Sequence, residues 1–329
     1  GEGGLNHAPA HVGPRELREV YARPFAAAIH EAGLACVMNA YNEVDGLPCG
    51  GSAAILDELL RGELGFAGLV VADYYTTALL CSFHRIAADR GEAGRLALAA
   101  GLDVDLPQLD CFGAPLRAEI EAGRVPMALV DRAVRRHLRL KFALGLFEQP
   151  YVDAAAAPAA YRTAAQTALA RRAAQQSIVL LKNDGDLLPL APHLRRVAVL
   201  GPAADDARLL QGDYSYPAHL EMIYLGGGRR RDGGDILPRA DAFAFQPGPH
   251  FPPTVTPLAG IRAALAAGAE VTHVAGCAIA GDDTSGLAAA AAAARAAEVA
   301  IVCVGGRSGL LADCTSGEFR DASDLGLTG

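Results

Sequence analysis

Apolar and polar residues follow two rhythms along the chain. Between Arg15 and Gly33 the apolar positions Leu17, Val20, Phe25 and Ile29 recur at helical spacing, with Pro24 as an interruption and Gly33 as a stop. A strand-like run, Ala35 to Tyr41, leads into the turn residues Asn42, Asp45, Gly46 and Pro48, and a short helix is predicted from Ala53 to Arg61, ended by Gly62. Leu69-Val70-Val71-Ala72-Asp73 is a near-continuous apolar run with a carboxylate at its C-terminal edge. Such runs mark parallel strands buried on both faces. A helix over Gly91 to Ala100 then precedes a third short strand, Leu102 to Leu106, stopped by Pro107. This is the rhythm of an α/β fold, which places its chemistry at the C-terminal ends of strands.

Met127 to Gly145 carries Leu129, Val130, Ala133, Val134, Leu138 and Phe142 at helical spacing, and its basic residues Arg132, Arg135, Arg136, Arg139 and Lys141 read as a solvated face. The alanine-rich, proline-containing stretch Tyr151 to Ala160 reads as a linker. A second periodic block follows: a helix from Thr163 running into Ser177-Ile178-Val179-Leu180-Leu181, a strand Arg196 to Leu200, and a helix Leu258 to Ala267 opened by Thr256-Pro257. Val271 to Val274, an alanine-rich helix Leu287 to Ala297 and a strand Val299 to Val304 complete a second α/β unit. Leu225 to Gly234, rich in glycine and arginine, reads as a mobile loop.

The 329 residues, at 51% hydrophobic and 20% charged, suit a globular protein of about two domains. A net charge of -8 offers no footprint for a polyanion, so no nucleic-acid partner is expected. The most apolar stretch, Leu287 to Val304, is broken by Arg295 and Glu298, so no membrane span is expected. The seven cysteines form no C-x-x-C pair, which argues against a zinc site or redox dithiol, and thiols such as Cys303 read as buried and free. The start at Gly1 shows neither an initiator Met nor a signal-like segment, and the chain reads as part of something longer.

Two glycine-containing strand ends, at Gly201 and Gly305-Gly306, fit neither G-x-G-x-x-G nor a phosphate loop, and no H-E-x-x-H supports a bound metal. No cofactor is therefore expected, and carboxylate chemistry remains. Asp73, at the end of an apolar strand, is desolvated unless it faces a cleft; on the residues alone it is either the cap of the next helix or a catalytic group. Glu318 lies in the polar segment Thr315 to Asp321 and, by itself, reads as a surface carboxylate.

The segments Val37 to Cys49 and Leu59 to Tyr74 closely resemble the nucleophile region of glycoside hydrolase family three. Ala100 to Pro107, Lys141 to Phe147, Ser177 to Asn183, Ala198 to Pro202, Thr315 to Glu318 and Asp321 resemble that family's later landmarks in the same order. The resemblance implies the C-terminal part of a (β/α)8-type barrel followed by a partial α/β sandwich domain. The corresponding boundaries are 1–150 for the barrel part, 151–165 for the linker and 166–329 for the sandwich part. It further implies a retaining exo-acting β-glycosidase, of β-glucosidase type, acting on a β-linked glucoside or oligosaccharide. A β-xylosidase or other exo-glycosidase of the same family, or an inactive truncated remnant, stay open as alternatives.

By the same resemblance Asp73 is the nucleophile and Glu318 the general acid/base, a pair that retaining glycosidases hold about 5–5.5 Å apart. Met38 and Tyr41 match positions lining the sugar pocket, with Tyr41 placed to steady the nucleophile by a hydrogen bond; packing in the barrel core is their competing role. Arg15 and Glu16 match a pattern opening a barrel helix, where a structural salt bridge is expected. Asp313 and Asp321 are the substitutes should Glu318 prove structural. The chain departs from the pattern at Ala72, where the family often has Ser, at Ala322 and at Thr328, and it starts downstream of the family's Lys-His pair. The acid/base of the N-acetylhexosamine branch, an Asp-His pair in the barrel, is disfavoured by Thr315-Ser316-Gly317-Glu318.

Overall fold

A computed structural model describes residues 1–4, 6–191, 193–224, 252–310, 314–318 and 326. The chain divides into two compact units, Gly1–Ser177 and Ile178–Gly329. The loop expected at Leu225 to Gly234, together with Asp313, Asp321, Ala322 and Thr328, lies outside the described residues.

After a 3₁₀ turn at Glu2–Gly4 the first unit runs through a helical turn, Pro14–Glu16, a π-helical turn, Leu17–Tyr21, and helix α1, Arg23–His30. Pro24 sits in the first turn of α1, where its missing N–H costs nothing, so it restarts the helix after the interruption. Arg15 pairs with Glu19 one turn on, through Nε to Oε1 at 2.9 Å, at an exposed site where such a pair contributes little. Strand β1 (Cys36–Met38) is followed by a small antiparallel hairpin, β2 (Glu43–Val44) and β3 (Leu47–Pro48). A π-helical segment, Ala54–Glu63, then buries Leu56, Leu59 and Leu60, running past the expected stop at Gly62. Strand β4 (Leu69–Val71) pairs with β1 in parallel, Val37 opposite Val70 and Met38 opposite Val71. A Cβ at Gly68 would run into the carbonyl oxygen of Ala35, so glycine lets the chain enter β4 beside β1.

The expected third strand is reduced to one parallel bridge between Val71 and Val104. The reason lies at Asp103, whose side chain turns back to accept the Val70 N–H at 3.0 Å and so takes a donor that strand edges usually give to backbone. The parallel strands among the described residues thus form an open sheet and not a closed barrel. Helices α2 (Thr76–Ser82), α3 (Arg90–Ala100), α4 (Ala114–Glu121) and α5 (Met127–Ala143) complete the layer around them. Asp89 caps α3 by accepting the Glu92 N–H, and Glu92 Oε2 accepts the Ala88 N–H in return. Val70, Leu80 and Leu102 lie at the centre of the core with no exposed surface. Burying a side chain of this size stabilises by about 1.5–3 kcal/mol.

The basic face of α5 is not simply solvated. Arg136 Nη1 reaches Asp103 Oδ1 at 2.9 Å, and Arg61 Nη2 reaches Asp103 Oδ2 at 2.7 Å, while Arg132 Nη2 donates to the Leu98 carbonyl at 2.7 Å. Asp103 accounts for the inward turn: a buried carboxylate must be paired, and the nearest cations are on α5 and the π-helical segment. Within the stretch expected to be a linker, exposed helical turns form at Ala154–Ala156 and Ala157–Ala160. The last helix of this unit, α6 (Ala164–Ser177), stops before Ile178, so Ile178 to Leu181 carry no regular structure and are exposed.

The second unit centres on a parallel sheet in the order β6-β5-β7, with β5 Arg196–Leu200, β6 Glu270–Val274 and β7 Val299–Val302. The central strand is buried from Val197 to Leu200, which explains its continuous apolar sequence. Helix α7 (Tyr216–Tyr224) precedes α8 (Pro257–Ala264), capped as expected by Thr256 Oγ1, and α9 (Leu287–Ala296) precedes β7. Leu258 of α8 packs on Val197, Val199 and Ala204.

Candidate active site

Asp73 follows β4 by two residues, at the C-terminal end of the parallel pair, and is partly buried. Its Oδ1 accepts the Tyr41 hydroxyl at 2.9 Å and the Tyr74 N–H at 2.7 Å. Its own backbone N–H donates to Oδ1 of Asn39 at 3.3 Å, and Asn39, 4% exposed, is itself tied to β4 through its N–H on the Val71 carbonyl. The carboxylate caps no helix: the N-cap of α2 is Tyr75, held at a φ of 67° with no side-chain cap. Three contacts therefore orient Asp73, and the described residues give it no ion pair. Ala72, just before it, is fully buried.

Tyr41 is fixed in turn. His84, whose side chain is 2% exposed, donates from Nε2 to the Tyr41 carbonyl at 2.9 Å and lies with Nδ1 3.7 Å from Glu43 Oε2. The His7 ring stands 5.0 Å from the Tyr41 ring, tilted against it. Met38 ends β1 and is 57% exposed, since alternation along the strand buries Val37 instead. An apolar cavity of about 410 Å³ opens beside β1, lined by Met38 together with Phe25, Val37 and Leu59. Neither Tyr41 nor Asp73 lines it, but Asn39, which accepts the Asp73 N–H, does.

Glu318 belongs to the second unit and is partly buried. The Tyr214 hydroxyl donates to its Oε2 at 2.7 Å, and the Tyr214 ring lies 5.8 Å from that of His219. The segment carrying Glu318 is registered on Arg307 to Gly309: Thr315 N–H donates to the Arg307 carbonyl at 2.8 Å, Gly309 N–H to the Ser316 carbonyl at 3.0 Å, and Arg307 N–H to Thr315 Oγ1 at 2.7 Å. Gly317 adopts a φ of 141°, and a Cβ there would strike the Gly309 carbonyl oxygen. Only glycine lets the chain turn at this point while staying against its neighbour.

The structure thus brings Tyr41 onto Asp73, leaves Met38 at the adjoining strand end, and gives Glu318 a tyrosine partner of its own. Asn39, His84 and Tyr214 were not singled out by sequence. Asn39 carried a usable signal, a polar side chain at the C-terminal edge of an apolar strand; Tyr214 carried none, since its partner is 104 residues away. Among the described residues no group of three His, Cys, Asp or Glu side chains is placed to share a metal ion, and no helix is long and apolar enough to cross a membrane.

The glycosyl hydrolase family 3 N-terminal domain matches residues 1–140, and the family's C-terminal domain matches residues 178–329. A beta-xylosidase of Formosa agariphila is 31% identical over 99% of this chain and 42% of its own length. The lysosomal beta glucosidase of Dictyostelium discoideum is 39% identical over 67% of this chain and 27% of its own. A mutant beta-glucosidase from Listeria innocua, solved in complex with laminaribiose, superimposes with a TM-score of 0.74 at 28% identity, covering 95% of this chain and 38% of that one. The chain therefore spans well under half the length of the relatives it matches. With both domains matched in order over nearly all its residues, the chain belongs to glycosyl hydrolase family 3.

Proposed function

We propose that the protein carrying this chain is a retaining exo-acting β-glycosidase that removes a terminal β-linked sugar through a covalent glycosyl-enzyme intermediate. Asp73 is the nucleophile and Glu318 the general acid/base. The observation that carries the reading is the immobilised carboxylate at the end of β4: Asp73 is oriented by Tyr41, Tyr74 and Asn39 without serving as a helix cap. A nucleophile held in one orientation needs little reorganisation before attack.

In the first step an oxygen of Asp73 bonds to the anomeric carbon. The bond to the leaving oxygen breaks, its electron pair staying on that oxygen, which takes the proton of the Glu318 carboxyl. In the second step the Glu318 carboxylate accepts a proton from water, the water oxygen bonds to the anomeric carbon, and the Asp73 ester bond breaks. Two inversions leave the β configuration unchanged. In this reading Tyr41 steadies Asp73 and the exposed end of Met38 faces the sugar.

A β-glucoside or short β-linked glucan is the preferred substrate, supported by the laminaribiose complex of the Listeria relative. A β-xyloside is the second reading, favoured by the Formosa relative, whose match runs over nearly the whole chain. Rates on a panel of aryl β-glycosides, measured with the protein at its full encoded length, separate these two, and the absence of turnover on every member would mark an inactive remnant. A 2-fluoro glycoside that turns over slowly tests the chemistry: mass spectrometry is expected to find the sugar esterified to Asp73, and a label on another carboxylate overturns the assignment.

A further inference from the structure

The second unit contains a fully buried carboxylate that the proposed reaction does not use. Glu221, on α7, has no exposed surface. Arg208 grips it with two bonds, Nε to Oε1 at 2.9 Å and Nη2 to Oε2 at 2.8 Å, and Arg307 adds Nη2 to Oε1 at 2.8 Å. Taking one carboxylate and most of two guanidinium groups out of water offsets much of what their attraction contributes, so a buried cluster of this kind is a weak source of stability. Its geometry is more informative than its energy.

Arg208 uses its remaining donors on two backbone carbonyls. Nη1 reaches Gln211 at 3.1 Å, fixing the start of the turn that presents Tyr214, and Nη2 reaches Ser308 at 2.9 Å, in the segment on which the Glu318 arm is registered. Arg307 holds that same arm directly, accepting the Thr315 N–H on its carbonyl and donating its own N–H to Thr315 Oγ1. One buried carboxylate thus anchors, through two arginines, both the backbone that carries Glu318 and the turn that carries its hydroxyl partner.

We propose that Glu221 is a positioning residue for Glu318: by holding Arg208 and Arg307 in one arrangement, it sets where the Glu318 carboxyl sits relative to the bond being cleaved. The inference rests on the reading of Glu318 as acid/base. Displacement of a catalytic group by about 1 Å can cost ~10²-fold in rate. An acid catalyst matters most when the leaving group is poor, so displacement of Glu318 slows such substrates selectively, whereas a general loss of structure slows all alike.

The test compares Glu318→Ala, Glu221→Gln and Thr315→Val in the protein at its full encoded length, reading kcat/KM on aryl β-glycosides whose leaving groups range from activated to poor. Glu221→Gln keeps the side-chain length but removes the charge that pairs with both arginines. Thr315→Val leaves the buried charges in place and removes both links between the Thr315 hydroxyl and the Arg307 backbone, the acceptor for its N–H and the donor to its carbonyl, so it decides the matter should Glu221→Gln fail to fold. Both are expected to slow the poor leaving groups about 10- to 100-fold while changing the activated ones about threefold or less, a weaker copy of the Glu318→Ala pattern. If Glu318→Ala shows that pattern and the other two slow all substrates equally, or none, the positioning role falls and the acid/base assignment stands. If Glu318→Ala itself shows no dependence on leaving group, the acid/base reading falls and the inference falls with it.

Discussion

The Tyr41 hydroxyl donates to Asp73 Oδ1 across 2.9 Å, joining two side chains that follow neighbouring parallel strands whose Met38 and Val71 are register partners. The same carboxylate oxygen accepts the Tyr74 N–H, so Tyr41 supplies one of two donors that fix the rotation of the group. A hydrogen bond to a charged group contributes about 1.5–3 kcal/mol. Tyr41→Phe is accordingly expected to lower kcat/KM about 10- to 100-fold on a β-glycoside that the parent hydrolyses, since each ~1.4 kcal/mol is a factor of ten. Steady-state kinetics alongside a circular dichroism spectrum checks this, and an unchanged kcat/KM in a folded variant would remove Tyr41 from the site.

Asp103 provides a prediction about stability in the first unit. Its side chain is 1% exposed and is shared between Arg61, 8% exposed, and Arg136, 20% exposed. Removing one partner of a buried pair leaves charge without compensation, at a cost of about 3–5 kcal/mol. Asp103→Ala is expected to lose that much stability in urea unfolding. Arg136→Ala, at the more exposed end of the same network, is expected to lose less.

Gly317 sets the backbone path of the Glu318 arm. Its φ of 141° is disfavoured for any other residue, and the space where a Cβ would stand is taken by the Gly309 carbonyl. Strain of this kind costs about 1–3 kcal/mol. Gly317→Ala is expected to lower turnover of a poor-leaving-group glycoside at least about tenfold in protein whose circular dichroism spectrum matches the parent's. Turnover at the parental rate would show that the arm tolerates displacement.

Two thiols give a pH dependence. Burial pushes Cys49 up to about 11 and Cys111, beside Asp105, up to about 12. Thiolates are the reactive form, so at pH 8 iodoacetamide is expected to modify exposed Cys36 well before Cys49 or Cys111, which react only after denaturation. The sign for stability follows from the raised values. Below pH ~9 folded and unfolded chains both hold these protons; above it the unfolded chain ionises first, and stability is lost as pH rises toward the folded values. Each thiol contributes a slope of about 1.4 kcal/mol per pH unit in that window, which urea midpoints at pH 8 and pH 10 measure.

Local structure was legible wherever its cause lies within a few residues. The apolar run Leu69–Val71, and the run Val197–Leu200 within Arg196–Leu200, became parallel strands, and Thr256 caps α8 because cap, proline and apolar spacing are all local signals. The ordered landmarks around Asp73 and Glu318 placed the chain in its family, although they assigned no task to Asn39 beside Asp73. What tertiary structure alone decided depends on partners far apart in the chain. Arg61 lies 42 residues from Asp103 and Arg136 lies 33 residues from it, so neither pairing could be read from the spacing within its own helix. The turn of the Asp103 side chain back onto the Val70 N–H also explains why Leu102 to Leu106 fell short of a strand. In the second unit Glu221 binds Arg208 from 13 residues away and Arg307 from 86, and Tyr214 meets Glu318 across 104. Hydrophobic periodicity determines which face of an element is buried, whereas the pairing of buried charges waits on the register and packing that bring distant elements together.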